Sequence, residues 1–395
     1  MTKVLEFPKG FLWGTATAAH QIEGNNTNSD WWEWEQKGGG VEPSGIACDS
    51  YNRYEEDFTL AKNLGHNAHR LSIEWARIEP LEREFSKQET DHYRKVLESL
   101  KDKNIKSFVT LHHFTNPLWF AKKGGWEDSN APEVFSKYVK YCVENFSDLI
   151  DFWVTINEPN VYAFCAYSIG KFPPQRKNLV RTANVYLNLC KAHKLGFAVI
   201  KTHQPQAHVG FTLNLTVSLP ETENFWDKIV SGIFNWFNCS LLIYLLKDFD
   251  YLGINYYLTF KVKSLKFYRD YSEGVSEAYN IPVVPRGLYY LLKNLKVYNK
   301  PVYITENGIA DSRDKLRKDY IREHLLSVNK AISEGIDVRG YLHWSLIDNF
   351  EWHVGFGPKF GLVEISRENN LKRILRKSAL YYAKICKSNK MHVRS

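Results

Sequence analysis

Two glutamates sit where a carboxyl group can do chemistry. Glu158 follows Thr155-Ile156-Asn157 and precedes Pro159, and Glu306 follows Tyr303-Ile304-Thr305 and precedes Asn307-Gly308. Each closes a short apolar β-rich run, so each is expected at the carboxyl end of a strand. Two carboxyl groups on opposite sides of a cleft can divide acid and base work. Cleavage of a glycosidic bond needs such a pair, one to protonate the leaving oxygen and one to activate water or attack directly. Direct attack needs a separation of about 5–5.5 Å, and an intervening water needs more. A glutamate at a strand end is also a common surface ion pair, so the neighbours must discriminate. Arg70 is predicted inside the barrel, where an unpaired cation is costly. Pairing with Glu306 removes that cost, keeps Glu306 ionised and lowers its pKa. Tyr257 can donate to the same carboxylate. Glu158 has no obvious cation nearby, and an apolar, Trp-rich mouth raises its pKa and keeps it protonated as an acid.

Positioning these groups requires a scaffold that brings strand ends together. Eight short runs have the composition of strands covered on both faces: Leu12–Thr15, Ala68–Ile73, Ser107–Leu111, Phe152–Ile156, Val209–Leu213, Tyr251–Ile254, Val302–Thr305 and Gly340–Trp344. Amphipathic stretches lie between most of them. In Glu133–Phe146 the residues Val134, Phe135, Tyr138, Val139, Tyr141, Cys142 and Phe146 form one apolar stripe. Eight β runs alternating with helices predict an α/β fold, a single closed (β/α)8 TIM barrel. No Gly-rich phosphate loop follows the first run, which argues against an open dinucleotide-binding sheet. Polar and aromatic groups gather just after the runs: Gln21, Arg70, His112-His113, Asn157-Glu158, Asn214, Asn255-Tyr256-Tyr257, Glu306-Asn307 and Trp344. That is the end where barrel enzymes place their chemistry.

Composition narrows the alternatives. The chain has 395 residues, 44% of them hydrophobic, with no linker, composition shift or short repeat. One barrel domain spanning residues 1–395 is expected. The 12 Trp and 23 Tyr offer flat apolar faces of the kind a pyranose ring stacks on. The net charge of +8 is spread along the chain, with local enrichment at Lys261–Lys266, Arg313–Lys318 and Lys372–Lys377. These read as solvated faces, and no nucleic-acid-binding motif accompanies them. The six cysteines have no metal-like spacing, and no H-E-x-x-H motif accompanies His112-His113. Cys48 and Cys165 read as packed thiols. No metal or cofactor is implied, because carboxyl groups can perform both proton transfer and nucleophilic attack. The first ten residues have no apolar signal core, and no apolar run is read as approaching the about 18 residues of a membrane span. A cytoplasmic location without a membrane or nucleic-acid partner is expected; the oligomeric state is open.

Taken in order, seven stretches resemble glycoside hydrolase family 1, the β-glucosidase and β-galactosidase family, over nearly the whole chain. They are residues 11–24 ending Gln21-Ile-Glu-Gly24, Arg70-Leu-Ser-Ile-Glu-Trp75, Thr110-Leu-His-His-Phe114, Thr155-Ile-Asn-Glu-Pro159, Gly253-Ile-Asn-Tyr-Tyr257, Ile304-Thr-Glu-Asn-Gly308 and Trp344-Ser-Leu-Ile-Asp-Asn-Phe-Glu-Trp352. The resemblance implies a barrel and a retaining double displacement on small β-glycosides. Glu306 is then the nucleophile and Glu158 the acid/base, with Arg70, Tyr257 and Asn255 supporting the nucleophile. It also implies a sugar pocket made by Gln21, His112, Asn157, Trp344, Glu351, Trp352 and Phe360. A 6-phospho-β-glycosidase or a weakly active sugar-binding barrel are the alternatives. The intact Asn349-Phe-Glu-Trp352 argues against the first, since Glu351 repels a phosphate. The presence of both carboxyls argues against the second. The segments around Glu79–Ser86, Val217–Asp250 and Lys261–Asn299 look shortened relative to the family. A thin barrel wall near Ser240–Asp250 is expected, with altered recognition beyond the sugar.

Overall fold

A computed structural model describes residues 2–394. Its centre is a closed barrel of eight strands, all parallel: β1 (Leu12–Ala16), β2 (Ala68–Ser72), β3 (Lys106–His112), β4 (Phe152–Asn157), β5 (His208–Asn214), β6 (Tyr251–Asn255), β7 (Val302–Asn307) and β8 (Val338–Trp344). These are the eight expected runs, each displaced by no more than a residue or two at its ends. Inside the barrel Ala68, Phe108, Val154, Tyr251, Tyr303 and Leu342 pack as one cluster. The Phe108 and Phe152 rings stack at 4.1 Å between centroids. Burying each such ring contributes about 1.5–3 kcal/mol. Gly210 on β5 makes room for this layer, because a Cβ there would sit 2.8 Å from the Tyr251 ring.

Each strand is followed by a helix: α1 (Ser50–Asn63), α2 (Lys87–Asp102), α3 (Ala131–Phe146), α4 (Leu179–His203), α5 (Phe225–Leu246), α6 (Pro285–Leu295), α7 (Arg317–Ser333) and α8 (Lys377–Ser388). Local chemistry sets their starts. Ser86 accepts from the Glu89 N–H ahead of α2, and Asn178 accepts from the Val180 and Arg181 N–H groups ahead of α4. The stripe anticipated on α3 is the face it buries, through Phe135, Tyr138, Val139, Cys142 and Phe146. A two-stranded antiparallel pairing of Thr2–Glu6 with Lys390–Arg394 joins the two ends of the chain.

The wall after β5 departs from expectation. Residues 225–246 form one helix that is long and apolar enough, by length and composition, to match a membrane span. The expectation that no such run exists is therefore corrected. Its apolar residues are interrupted by Asp227, Lys228, Asn235 and Asn238, which hide the run in the sequence. Only 22% of its most apolar window is buried, so this part of the wall leaves large side chains in solvent.

Candidate active site

Arg70, on β2, is fully buried at the centre of the barrel mouth. Its guanidinium donates to Glu306 Oε1 at 2.5 Å, to Asn157 Oδ1 at 2.6 Å, to Thr110 Oγ1 at 3.1 Å and to Thr212 Oγ1 at 3.3 Å. Four strands thus converge on one cation. Tyr257, just past β6, donates its hydroxyl to Glu306 Oε2 at 2.8 Å. Both oxygens of Glu306 are held, as anticipated from the sequence. The expected depression of its pKa is not what the surroundings produce. Burial pushes the Glu306 carboxyl above its ordinary value, and Arg70 and Tyr257 pull against that rise. Full enclosure outweighs the cation because losing water penalises the charged form over its whole surface.

Glu158 stands across from it at the end of β4, with a left-handed φ of 43°. It is the residue ahead of the short helix Pro159–Ala163. Strain of this kind at a non-glycine residue costs about 1–3 kcal/mol and recurs where a side chain must be aimed. The Glu158 N–H donates to the Thr212 carbonyl at 2.8 Å, tying the turn to β5. Asn255 donates its amide to Glu158 Oε1 at 2.7 Å, and Thr305 donates to Asn255 Oδ1 and orients that amide. Asn255 therefore serves Glu158 most directly, although it also lies within reach of Glu306. Burial, reinforced by the nearby Glu306 charge, pushes the Glu158 carboxyl up to about 8.

A cavity of about 210 Å³ opens above the pair. Gln21, Asn157, Trp344, Glu351, Trp352 and Phe360 line it, as expected. Gln21 donates to the Phe350 carbonyl at 2.8 Å and to Asn349 Oδ1 at 3.0 Å, which leaves its buried Oε1 without a partner among the described residues. A buried lone acceptor at a cavity wall is suited to a ligand hydroxyl. Burial pushes Glu351 up to about 8.

His112 is the exception. Plain alternation along β3 would send it inward after Phe108 and Thr110. Instead the strand end breaks the alternation. The His112 ring turns outward onto Trp126, Phe135 and Tyr162, and its Nε2 meets Asn116 at 3.1 Å. His113 takes the place in the cavity, 3.1 Å from the Asn157 amide and stacked 5.9 Å from Trp352. The assignment of His112 to the pocket is thus corrected to His113. Burial and the Arg70 charge hold His113 well below the ordinary histidine range, so it is neutral. The outer part of the cavity was not anticipated. It includes Val161, Cys165, Phe172 and Ile281, and Tyr279, whose hydroxyl donates to Glu351 Oε1 at 3.2 Å. No strand pattern leads to Tyr279, which lies in an irregular segment. Cys165, read as a packed thiol, is half-buried at the rim, whereas Cys48 is buried. Among the described residues no group of three metal-ligating side chains occurs.

A barrel whose mouth holds two opposed carboxyls, one gripped by an arginine, above a cavity of tryptophans and amides defines a glycoside hydrolase. The chain matches the model of the family described as glycosyl hydrolase family 1 through residues 4–245 and 242–391. It is 32% identical to β-glucosidase A of Thermotoga maritima across 98% of this chain and 99% of that protein. It is 30% identical to a β-galactosidase of Pyrococcus woesei across 91% and 93%. The fold superimposes on a solved β-glycosidase from Pyrococcus horikoshii with a TM-score of 0.91 at 36% identity, covering 98% of this chain and 96% of that one. The chain belongs to glycosyl hydrolase family 1. The alignment to the Thermotoga maritima enzyme runs over 444 positions against a chain of 395 residues, so gaps fall inside this chain.

Proposed function

We propose that this β-glycosidase is a retaining exo-enzyme that hydrolyses terminal β-D-glucosides, and β-D-galactosides and β-D-fucosides as further substrates. Glu306 attacks the anomeric carbon while Glu158 protonates the departing oxygen, forming a covalent glycosyl-enzyme. Glu158, now ionised, takes a proton from water, which attacks the anomeric carbon and frees Glu306. The observation that carries this reading is the unequal holding of the two carboxyls around one amide. Arg70 and Tyr257 occupy both oxygens of Glu306, whereas Glu158 receives only neutral donors. Asn157, held by Arg70 and His113, is suited to the 2-hydroxyl. Gln21 and Glu351 are suited to hydroxyls at the far side of the ring, and Trp344 and Trp352 to its apolar face. Relatives named as β-glucosidase and as β-galactosidase are both consistent with this range. Among the described residues no Lys or Arg lines the cavity, which disfavours a 6-phosphorylated sugar. The test is Glu306→Ala with an aryl β-glucoside and azide. Loss of turnover with recovery of an α-glycosyl azide is expected, together with a β-configured first product from the unaltered enzyme by NMR. An α-configured first product would overturn the mechanism.

A further inference from the structure

Helix α5 is patterned inside out. Its polar side chains face the protein: Asp227 accepts from the Leu265 and Ser264 N–H groups, Asn235 accepts from the Ser218 N–H at 2.7 Å, and Ser231 meets Ser218 at 2.9 Å. Its large apolar side chains face solvent: Phe225, Trp226, Ile233, Trp236, Phe237 and Tyr244 are all between 53% and 68% exposed. Trp226 and Ile233, Ile233 and Trp236, and Phe237 and Tyr244 lie seven, three and seven residues apart, so the six fall along one side of the helix. The hairpin Thr259–Tyr268 extends it, since Phe267 packs 5.0 Å from Phe234 and is itself exposed. Barrel packing does not account for six large apolar groups on the outer face of one helix.

We propose that α5 docks this enzyme on an anionic lipid surface, lying in the plane of the interface. Aromatic side chains, two of them Trp, suit the boundary between headgroups and acyl chains. The charges around the stripe point the same way. The exposed charged groups are Lys228 on the helix, Glu223 just ahead of it, and Lys247 and Asp248 at its end; Lys263, Lys266 and Arg269 lie on or beside the hairpin. Lys228 pairs with Glu223, Lys263 with Glu221 and Lys261 with Asp270, whereas Lys247, Lys266 and Arg269 form no ion pair among the described residues. The whole chain carries +8. A second copy would bring these cationic rims together, and an anionic bilayer would neutralise them. The helix does not cross the bilayer, because its inner face is bonded to the strand Val217–Pro220 and to α4, where Tyr186 donates to the Leu242 carbonyl. In this barrel the helices run back from the carboxyl ends of the strands. Phe225 and Trp226 therefore lie toward the end that carries the mouth, and docking would bring the cavity near the interface.

Flotation with phosphatidylcholine vesicles containing roughly 30% phosphatidylglycerol tests the proposal. The unaltered protein should float, and Trp236→Ser with Phe237→Ser should lower the partition by about tenfold or more. A circular-dichroism melt shows whether that variant folds. Lys247→Glu with Lys266→Glu, on exposed side chains, gives a second route: binding should fall severalfold and the remainder should be less sensitive to salt. Failure of the unaltered protein to float overturns the proposal. So does a solution dimer that the Trp236/Phe237 variant converts to monomer, since a second copy would then cover the face. Neither readout depends on glycosidase activity.

Discussion

Arg70→Met removes four hydrogen bonds and, among the described residues, the only cation in contact with Glu306, while keeping most of the side-chain stem. Breaking a buried ion pair by deleting one partner costs about 3–5 kcal/mol when the survivor must stay charged. Glu306 has an escape, because it can bind a proton. An adjacent arginine depresses a carboxyl by about 1–3 pKa units, and its loss lets burial push Glu306 up by a similar amount. The nucleophile must be ionised, so the acid limb of kcat/KM should move to higher pH by about 1–3 units. Below the new midpoint each unit costs tenfold, so activity at a fixed acid pH should fall about 10- to 1000-fold. Stability should follow the same proton. The folded variant binds a proton that the unfolded chain releases near the ordinary carboxyl range. The loss of stability should therefore be small at low pH and grow as pH rises through that range toward the folded pKa. The assay is a pH series of kcat/KM on an aryl β-glucoside, paired with urea unfolding at an acid and a neutral pH. An acid limb that stays in place while the variant remains folded would refute the pairing as the control of Glu306.

Glu158 must be protonated to act as the acid, so kcat/KM should fall on the alkaline side with a midpoint near 8, read from a pH series. Glu158→Gln should abolish that limb for a substrate whose leaving group needs no proton; a persisting limb would assign it elsewhere. His113→Ala should reduce kcat/KM with little loss of thermal stability, whereas His112→Ala should destabilise by about 1–3 kcal/mol, since Asn116 and Trp126 lose a buried partner. Kinetics and melting curves on the two variants decide between them. Tyr279→Phe frees one oxygen of Glu351 and should change KM about 2- to 10-fold with kcat nearly unchanged.

The barrel was legible because its eight strands are buried on both faces and end in polar residues, a signal that survives without tertiary knowledge. The pairing of Arg70 with Glu306 was legible for a related reason: a buried cation demands a carboxylate, and the candidates were few. The sign of the Glu306 shift was not, because it depends on how completely the mouth encloses the group, which spacing does not reveal. The choice between His112 and His113 failed at a strand end, where the two-residue alternation no longer holds. Tyr279 sits in irregular chain, where no periodicity constrains the direction of a side chain.

Helix α5 failed for the most instructive reason. Its polar residues interrupt an apolar run, and interruption ordinarily marks the solvent face of an amphipathic helix. Here Asp227, Ser231 and Asn235 are consumed by hydrogen bonds to the neighbouring strand and hairpin. The elements that follow β5 and β6 explain why. A brief strand and a tight hairpin present many backbone groups to the helix and little apolar surface, and those groups need polar partners. The aromatic residues are left exposed on the opposite side. The bonded polar face and the exposed aromatic stripe are thus one structural event, because what the strand and hairpin take from the helix fixes which face is left to solvent.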